Sequence, residues 1–291
     1  MSKTFNFPKT LTNSSNDYSC LIDFYNEWKN LKNEHIIINL DNTEFIEANI
    51  VALLGAMFDK LIGIEYLNNI SITNLNDKIS KILKKNNFLS YFGTERIEDT
   101  FDTTIEYRKI KAENVIDFTE YLYLKLFTHS KFPNMPQSLR KVLISSLAEI
   151  FINANMHSGC EFVYTCGQYF PNKHKLDFSI VNLGTTIKEN VESFINKDSN
   201  EKYIINSTNA IGWAVQERNT TKLGESGGFG LSKTLEFIKK NKGNLCIISG
   251  DGCWFQSDSN GINTKKFPNS FDGTIVNFEI NMNDSYNYAI I

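Results

Sequence analysis

The sequence predicts an α/β protein with two domains, spanning residues 1–98 and 99–291. A chain of 291 residues is long for one compact core, because single domains commonly contain ~100–200 residues. The first domain alternates short β-branched runs with segments whose apolar residues recur at helical spacing. Its predicted elements are a strand at 35–40, a helix at 48–62, a strand at 70–73 and a helix at 77–87. This order is typical of a small open α/β domain.

The second domain follows the Tyr91–Thr94 turn and is predicted to contain both strands and helices. Pro133 and Pro136 break the chain, because proline cannot continue a helix interior. The predicted elements are strands at 101–110, 161–169, 175–181, 244–249 and 274–280, and helices at 114–127, 138–157, 191–195, 210–217 and 231–241. The long helix at 138–157 precedes most of the strands and carries the most informative polar residues.

The composition and charge limit the kinds of molecule that the chain is expected to bind. With 41% hydrophobic and 22% charged residues, the chain has the profile of a soluble globular protein. A net charge of -3 with mixed signs provides no basic field for nucleic acid, which we therefore exclude as a primary partner. The N-terminus has no apolar signal region and no window approaches the ~18 apolar residues of a membrane span, so we expect a cytoplasmic protein.

The long helix carries a polar face. Glu149, Asn153 and His157 are spaced four residues apart, so each is rotated by only about 40° from the last. The residues around them are mostly apolar, and a buried carboxylate there would need a partner. This pattern predicts a ligand or a cation at the polar face. A narrow stripe facing solvent is the alternative.

A glycine cluster precedes the last predicted helix. Gly227, Gly228 and Gly230 would let backbone N–H groups close on an anion at the helix N-terminus, which is a phosphate-binding arrangement. A tight turn before a helix uses the same residues and is the alternative. The spacing fits neither the P-loop nor the dinucleotide-binding fingerprint.

Taken in order, these segments resemble the GHKL ATPase superfamily of gyrase, heat-shock chaperones, histidine kinases and mismatch-repair proteins. The resemblance covers roughly 137–280. The family's N box, Glu-x-x-x-Asn-Ala, matches 149–154, with His157 and Ser158 as in the anti-sigma-factor kinase branch. Its second glycine box matches 227–232, and its late Gly-Thr matches Gly273 and Thr274.

The first glycine box departs from the family pattern. The family has Asp-x-Gly-x-Gly-Ile, whereas residues 182–187 of this chain read Asn-Leu-Gly-Thr-Thr-Ile. Asn182 replaces the adenine-reading carboxylate and Thr186 replaces the second glycine. The resemblance implies ATP as the nucleotide, and this departure adds GTP as a second candidate.

The resemblance implies a GHKL-type α/β sandwich, with a mixed sheet covered by helices on one face. It implies that Asn153 coordinates Mg²⁺ and that Glu149 orients or deprotonates the nucleophile that attacks the γ-phosphate. The implied ATP-binding residues are Asn153, His157, Asn182, Gly184, Ile187, Thr221, Lys222, Gly227, Gly228, Phe229, Gly230, Leu231 and Thr274. For His157 the alternative is a capping or packing residue, and for Thr221 and Lys222, in the segment that matches the family's ATP lid, it is a solvated loop.

The first domain resembles the STAS family of anti-sigma-factor antagonists. The matching residues are I-I-I-N-L-D-N-T-E-F-I-E-A-N-I-V-A-L-L at 36–54, the strand I-S-I-T and the helix that ends in K-I-L-K-K-N-N-F-L. The family loop reads roughly Asp-Ser-Ser-Gly and carries a phosphorylated serine, but Ala48 and Asn49 offer no hydroxyl. We therefore expect a docking or dimerisation surface for a protein partner or a second copy, rather than a phosphoacceptor.

The function expected from these features is that of a Mg-ATP-binding ATPase or protein kinase in a bacterial-type regulatory system. A histidine kinase is disfavoured, because a STAS-like domain stands where a phosphoacceptor helix hairpin would precede the ATP-binding half. One alternative is a nucleotide-sensing switch without turnover. Another is a scaffold that has lost nucleotide binding.

Overall fold

The computed structural model describes residues 2–63, 66–197, 199, 202–221 and 228–283, and it shows a mixed α/β fold, as the sequence predicts. The helices are α1 (Ser15–Trp28), α2 (Val51–Ile62), α3 (Asp77–Lys85), α4 (Val115–Tyr121), α5 (Gln137–Ser158), α6 (Ile187–Ile195), α7 (Ser207–Ala214) and α8 (Gly230–Asn241). The strands are β1 (Ser2–Asn6), β2 (Thr10–Leu11), β3 (His35–Asn39), β4 (Phe45–Ile46), β5 (Asn69–Thr73), β6 (Thr104–Lys111), β7 (Phe162–Phe170), β8 (Lys175–Leu183), β9 (Asn244–Ser257) and β10 (Gly261–Asn281).

The N-terminal region contains a three-stranded parallel sheet in the order β1-β3-β5. Parallel neighbours require a crossover connection, and α1 and α2 supply one each. The short strands β2 and β4 pair beside this sheet, also in parallel. The βαβ order predicted from the apolar runs is therefore present, with β1 and α1 added at its N-terminal side.

Helix α1 was not among the predicted elements. The Ser14 side chain caps it by accepting a hydrogen bond from the backbone N–H of Asp17. Its buried residues recur at intervals of three and four, as expected for a helix that packs one face on a core; they are Tyr18, Leu21, Ile22, Phe24, Tyr25 and Trp28.

The larger sheet has five strands in the order β6-β7-β8-β10-β9, and every neighbouring pair is antiparallel. The prediction of a mixed sheet is therefore wrong. Short turns join β7 to β8 through Pro171–Lys173 and β9 to β10 through 258–260, and such turns can connect only antiparallel strands. Strand β10 then runs back between β9 and β8.

Helices cover both faces of this sheet. The helices α4, α5 and α8 pack on one face with residues such as Phe151, Phe178 and Ile238. On the opposite face, α1 and α2 pack in a second apolar cluster that includes Tyr164 and Ile248 of the sheet. The prediction of helices on one face concerned the C-terminal domain, whose helices α4, α5 and α8 share one face, while the N-terminal region covers the other.

The loop of the first domain that lacks the hydroxyl of a phosphoacceptor contacts the chain's own sheet. The backbone N–H of Ala48 donates to Oε1 of Gln168 at 2.7 Å, and Nδ2 of Asn49 donates to Oδ1 of Asn277 at 2.9 Å. Ala48 and Asn49 are both fully buried. The loop thus joins the N-terminal region to β7 and β10.

Strands β9 and β10 continue beyond the sheet as a bent hairpin arm, which we define as residues 250–272. The bend follows Gly250, whose φ is +62°, and coincides with register shifts in the pairing with β10. The arm contacts α1 through Lys265 Nζ, which donates to Oδ1 of Asn16 at 2.9 Å, and through a 2.7 Å ion pair between Asp272 and Lys29. The arm therefore holds α1 against the sheet.

Within the described residues, none of the helices combines the length and the apolar character needed to cross a bilayer.

Candidate functional site

A cavity with about 880 Å³ of empty space, its open mouth included, lies between α5, α6, the start of α8 and the sheet. Small-molecule sites commonly measure ~300–1,000 Å³. Its lining includes most of the residues that the sequence predicted at a nucleotide site, namely Glu149, Asn153, His157, Asn182, Ile187, Thr221, Gly228, Gly230, Leu231 and Thr274. Gly184 and the Phe229 side chain are not part of this lining, and Lys222 and Gly227 lie outside the described residues.

Helix α5 presents the polar residues to this cavity. It begins directly after Pro136 and ends at Gly159, which adopts the left-handed conformation that favours glycine. One side of the helix packs in the core, while Glu149, Asn153 and His157 are half-buried at the cavity wall. The Asn153 side chain has no hydrogen bond to any residue within the described ranges, so its amide is available to a ligand or a cation.

Glu149 binds the glycine loop at the start of α8. Its Oε1 accepts hydrogen bonds from the backbone N–H groups of Gly228 at 2.8 Å and Phe229 at 3.1 Å. The N-terminus of a helix favours negative charge, and here the chain's own carboxylate occupies that position. These amides are the ones that the sequence analysis assigned to phosphate.

Two glycines allow α8 to begin this close to α5. A Cβ at Gly230 would lie 2.9 Å from Cβ of Glu149 and 3.0 Å from the carbonyl oxygen of Ser146, which is too close for any side chain. Gly228 has a φ of +83°, in the region that side chains disfavour. The glycine cluster therefore has a packing role in addition to any role in binding.

Asn182 lies on the floor of the cavity. It stands opposite Thr274 in the pairing of β8 with β10 and is 6% exposed. Its Nδ2 has no hydrogen-bond partner within the described residues. A buried amide left unpaired costs roughly 1–3 kcal/mol, so this position favours a ligand or water that supplies an acceptor.

A buried serine behind the cavity wall was missed in the sequence analysis. Ser249 Oγ lies 2.9 Å from Oγ1 of Thr274 and accepts a hydrogen bond from the backbone N–H of Ile187 at 2.9 Å. It therefore fixes the Thr274 hydroxyl and the start of α6 together. Little in the sequence indicated this role, because Ser249 is only a single hydroxyl residue after Ile247 and Ile248 in a predicted strand.

The departures in the 182–187 segment have structural consequences of their own. Thr186 caps α6, because its hydroxyl accepts from the N–H of Glu189 and the Glu189 carboxylate accepts from the N–H of Thr186. Gly184 has a φ of +135°, and a Cβ there would collide with the carbonyl oxygen of Ser158. Thr186 therefore stabilises the helix that forms one wall of the cavity, and Gly184 lies just outside that wall.

The segment before the undescribed residues 222–227 folds over the cavity mouth. The N–H of Arg218 donates to the carbonyl oxygen of Gly228 at 3.2 Å, and Oγ1 of Thr221 lies 3.4 Å from Nδ1 of His157. Trp213 and Asn190 complete the lining at this side, and Asn190 is a residue that the sequence analysis did not single out. The two predicted residues His157 and Thr221 thus meet at the mouth.

The described residues contain no group of three or more His, Cys, Asp or Glu side chains that could hold a metal ion. A cation at this cavity would therefore take most of its ligands from a bound molecule and from water. Magnesium is commonly bound in that way, with one or two protein oxygens and the rest from phosphates and water. The Asn153 amide, which has no hydrogen-bond partner among the described residues, suits such a site.

Comparison with models of known protein families gives no match, and comparison with curated proteins gives none either.

Proposed function

We propose that this chain binds Mg-ATP in the cavity and acts as a GHKL-type ATPase or protein kinase in a bacterial-type regulatory system. One observation carries the proposal: Glu149 and Asn153 of α5, Asn182 of β8, Thr274 of β10 and the glycine loop before α8 line one cavity, although they are distant in sequence. These are the segments in which the sequence resembles that superfamily.

The phosphate end of the proposed site is formed by α5 and the glycine loop. Asn153 would hold Mg²⁺, which neutralises phosphate charge when bound. The amides of Gly228 and Phe229 would donate to phosphate oxygens, and Glu149 would have to leave them for that to happen. The released carboxylate could then accept a proton from the attacking nucleophile, as a general base one helical turn from Asn153.

The base end of the proposed site is formed by the sheet. Asn182 supplies a buried carboxamide, and Thr274 supplies a hydroxyl that Ser249 holds in place. A planar base would bind between the sheet and the apolar side chains of Ile187 and Leu231, which also line the cavity. Polar groups at a few fixed points within an apolar lining are typical of sites that select one ligand.

The alternative is a nucleotide-sensing switch without turnover, and the sheet supplies a specific reason to consider it. Strand β10 carries Thr274 at the cavity and Asn277, three residues further on, at the contact with Asn49. A ligand that shifts β10 would therefore act directly on the contact with the N-terminal region. In this proposal the N-terminal region is a STAS-like domain that responds to the nucleotide and presents its free surface to a protein partner.

Titration with ATP in the presence and absence of Mg²⁺, followed by an assay of phosphate release, separates the candidate functions. An ATPase or kinase binds Mg-ATP and releases or transfers phosphate. A switch binds Mg-ATP without releasing phosphate. If calorimetry showed no binding of ATP with or without Mg²⁺, both functions would be contradicted. The remaining interpretation would then be a scaffold that has lost nucleotide binding.

A further inference from the structure

Two cysteines of β9 lie side by side on the face of the sheet that the N-terminal region covers. The Sγ atoms of Cys246 and Cys253 are 3.9 Å apart. In a straight strand, residues seven positions apart would be separated by about 23 Å and would point to opposite faces. The bend after Gly250 removes that separation and brings the two thiols into contact.

The pair is enclosed but adjoins a cavity. Both cysteines are buried, with exposures of 6% and 3%, and both line a cavity with Asn13, Ser14 and Lys265. This cavity has about 1000 Å³ of empty space, its open mouth included, and lies between the start of α1 and the arm. The cavity therefore provides a route from solvent to the two sulfurs.

The two thiols differ in acidity. The contact with Cys246 lowers the pKa of the Cys253 thiol, and the positive charge of Lys265 lowers it further, against the opposing effect of burial. The same contact and burial raise the pKa of Cys246. Cys253 is therefore the better nucleophile and Cys246 the thiol that keeps its proton.

We propose that Cys246 and Cys253 are a site of reversible disulfide formation, driven by a small-molecule disulfide such as glutathione disulfide. The Cys253 thiolate attacks the oxidant, forms a mixed disulfide and releases one glutathione thiolate. Cys246 then loses its proton to solvent and attacks Sγ of Cys253, which releases the second glutathione. Two protein thiols are oxidised and one small-molecule disulfide is reduced, while the two sulfurs close from 3.9 Å to about 2.05 Å.

The bond would fix the bend at the base of the arm. Cys246 belongs to the part of β9 inside the five-stranded sheet, where it pairs with Asn277, and Cys253 belongs to the arm, where it pairs with Lys265. Because the arm holds α1, oxidation would lock the arm over the N-terminal region. This effect requires no nucleotide and is independent of the proposed ATP site.

The test uses the full chain with Cys20 and Cys160, the two partly exposed cysteines, both changed to serine. After incubation with glutathione disulfide, we expect an intact mass lower by two hydrogens and a Cys246–Cys253 peptide that dithiothreitol cleaves. In that background Cys246→Ser should retain a glutathione adduct on Cys253, and Cys253→Ser should show no disulfide. The same peptide mapping on the unaltered chain guards against variants that fold poorly. Three results would overturn the proposal in the chain that lacks Cys20 and Cys160: an unchanged mass, a glutathione adduct that is not resolved, or a disulfide between a different pair of cysteines.

Discussion

Glu149 accepts a hydrogen bond of 2.8 Å from the backbone N–H of Gly228. The carboxylate to which we assign a catalytic role is therefore bound to a backbone amide that we assign to phosphate binding. The two assignments are compatible only if the Glu149 carboxylate binds the loop amides in the absence of nucleotide and phosphate replaces it there when nucleotide binds. In that case Glu149 keeps the loop in position without nucleotide and is released when phosphate arrives. Binding and turnover should then respond differently to its removal.

Glu149→Ala should keep ATP binding within about tenfold of the original affinity, because the loop loses one partner but the phosphates lose a competing charge. Turnover should fall by roughly 10²–10⁴, the usual contribution of a general base. Calorimetry and phosphate release measure the two effects separately. Glu236→Ala, on the surface of α8, is the control and should change neither. A loss of binding in Glu149→Ala as large as in Asn153→Ala would contradict the assigned role.

Asn182→Asp should tighten ATP by about 1 kcal/mol, roughly fivefold, and weaken GTP. A carboxylate accepts a stronger hydrogen bond than a carboxamide from the 6-amino group of adenine, whereas the 6-oxo group of guanine would face it oxygen to oxygen. Calorimetry of both nucleotides against both proteins measures the change. An ATP to GTP ratio that stays constant would show that Asn182 does not read the base.

Asp177 should make the stability of the fold depend on pH. It is fully buried on β8, where burial and the nearby charges of Glu279 and Glu47 raise its pKa to about 7, against the opposing charge of Lys175 at 3.0 Å. The folded state then binds this proton more tightly than the unfolded state. Its contribution to the free energy of unfolding should be greatest at low pH and fall as the pH rises from about 4 to about 7, by on the order of 4 kcal/mol.

Asp177→Asn removes this titration. Urea unfolding should therefore show the variant gaining stability relative to the original chain as the pH rises, with most of the gain reached by about pH 8. Asp258→Asn, on the exposed turn of the arm, is the control. Its free energy of unfolding should differ from that of the original chain by the same amount at every pH. If the difference in the free energy of unfolding between Asp177→Asn and the original chain did not change with pH, Asp177 would not bind its proton more tightly in the folded than in the unfolded state.

No phosphate should be transferred to the loop of the N-terminal region around Ala48 and Asn49, where the sequence resemblance to the STAS family would place a phosphorylated serine. Thr43 is the nearest hydroxyl, and it is 1% exposed. A side chain enclosed to this degree cannot approach a γ-phosphate without local unfolding. Mass spectrometry after incubation with Mg-ATP is the measurement, and a phosphate on Thr43 would overturn the expectation.

The local elements of the fold were largely predictable from the sequence. The helix predicted at 138–157 is found at Gln137–Ser158, because Pro136 and Gly159 bound a continuous run of helix-forming residues. Helix α1 could have been found as well, since Ser14 caps it and its apolar residues recur at helical spacing. The strand order of the large sheet was not predictable, because it depends on β10 returning between β8 and β9, which no local sequence pattern records.

The site was predictable to a similar extent. The shared face of Glu149 and Asn153 follows from helical spacing, and the structure places both at one cavity. The bond between Glu149 and Gly228 joins residues 79 positions apart, and the contact of Ser249 with Thr274 depends on strand register. Contacts of this kind are set by tertiary packing, so sequence spacing alone could not supply them.

The central claim, that the cavity binds a nucleotide through Mg²⁺, depends most directly on Asn153. Asn155 offers a matched control, because it has the same side chain on the same helix but is exposed and outside the cavity. Calorimetric titration of Mg-ATP should show binding to the original chain and to Asn155→Ala with similar affinity, and no measurable binding to Asn153→Ala. Equal affinities in all three proteins, or no binding to the original chain, would contradict the account.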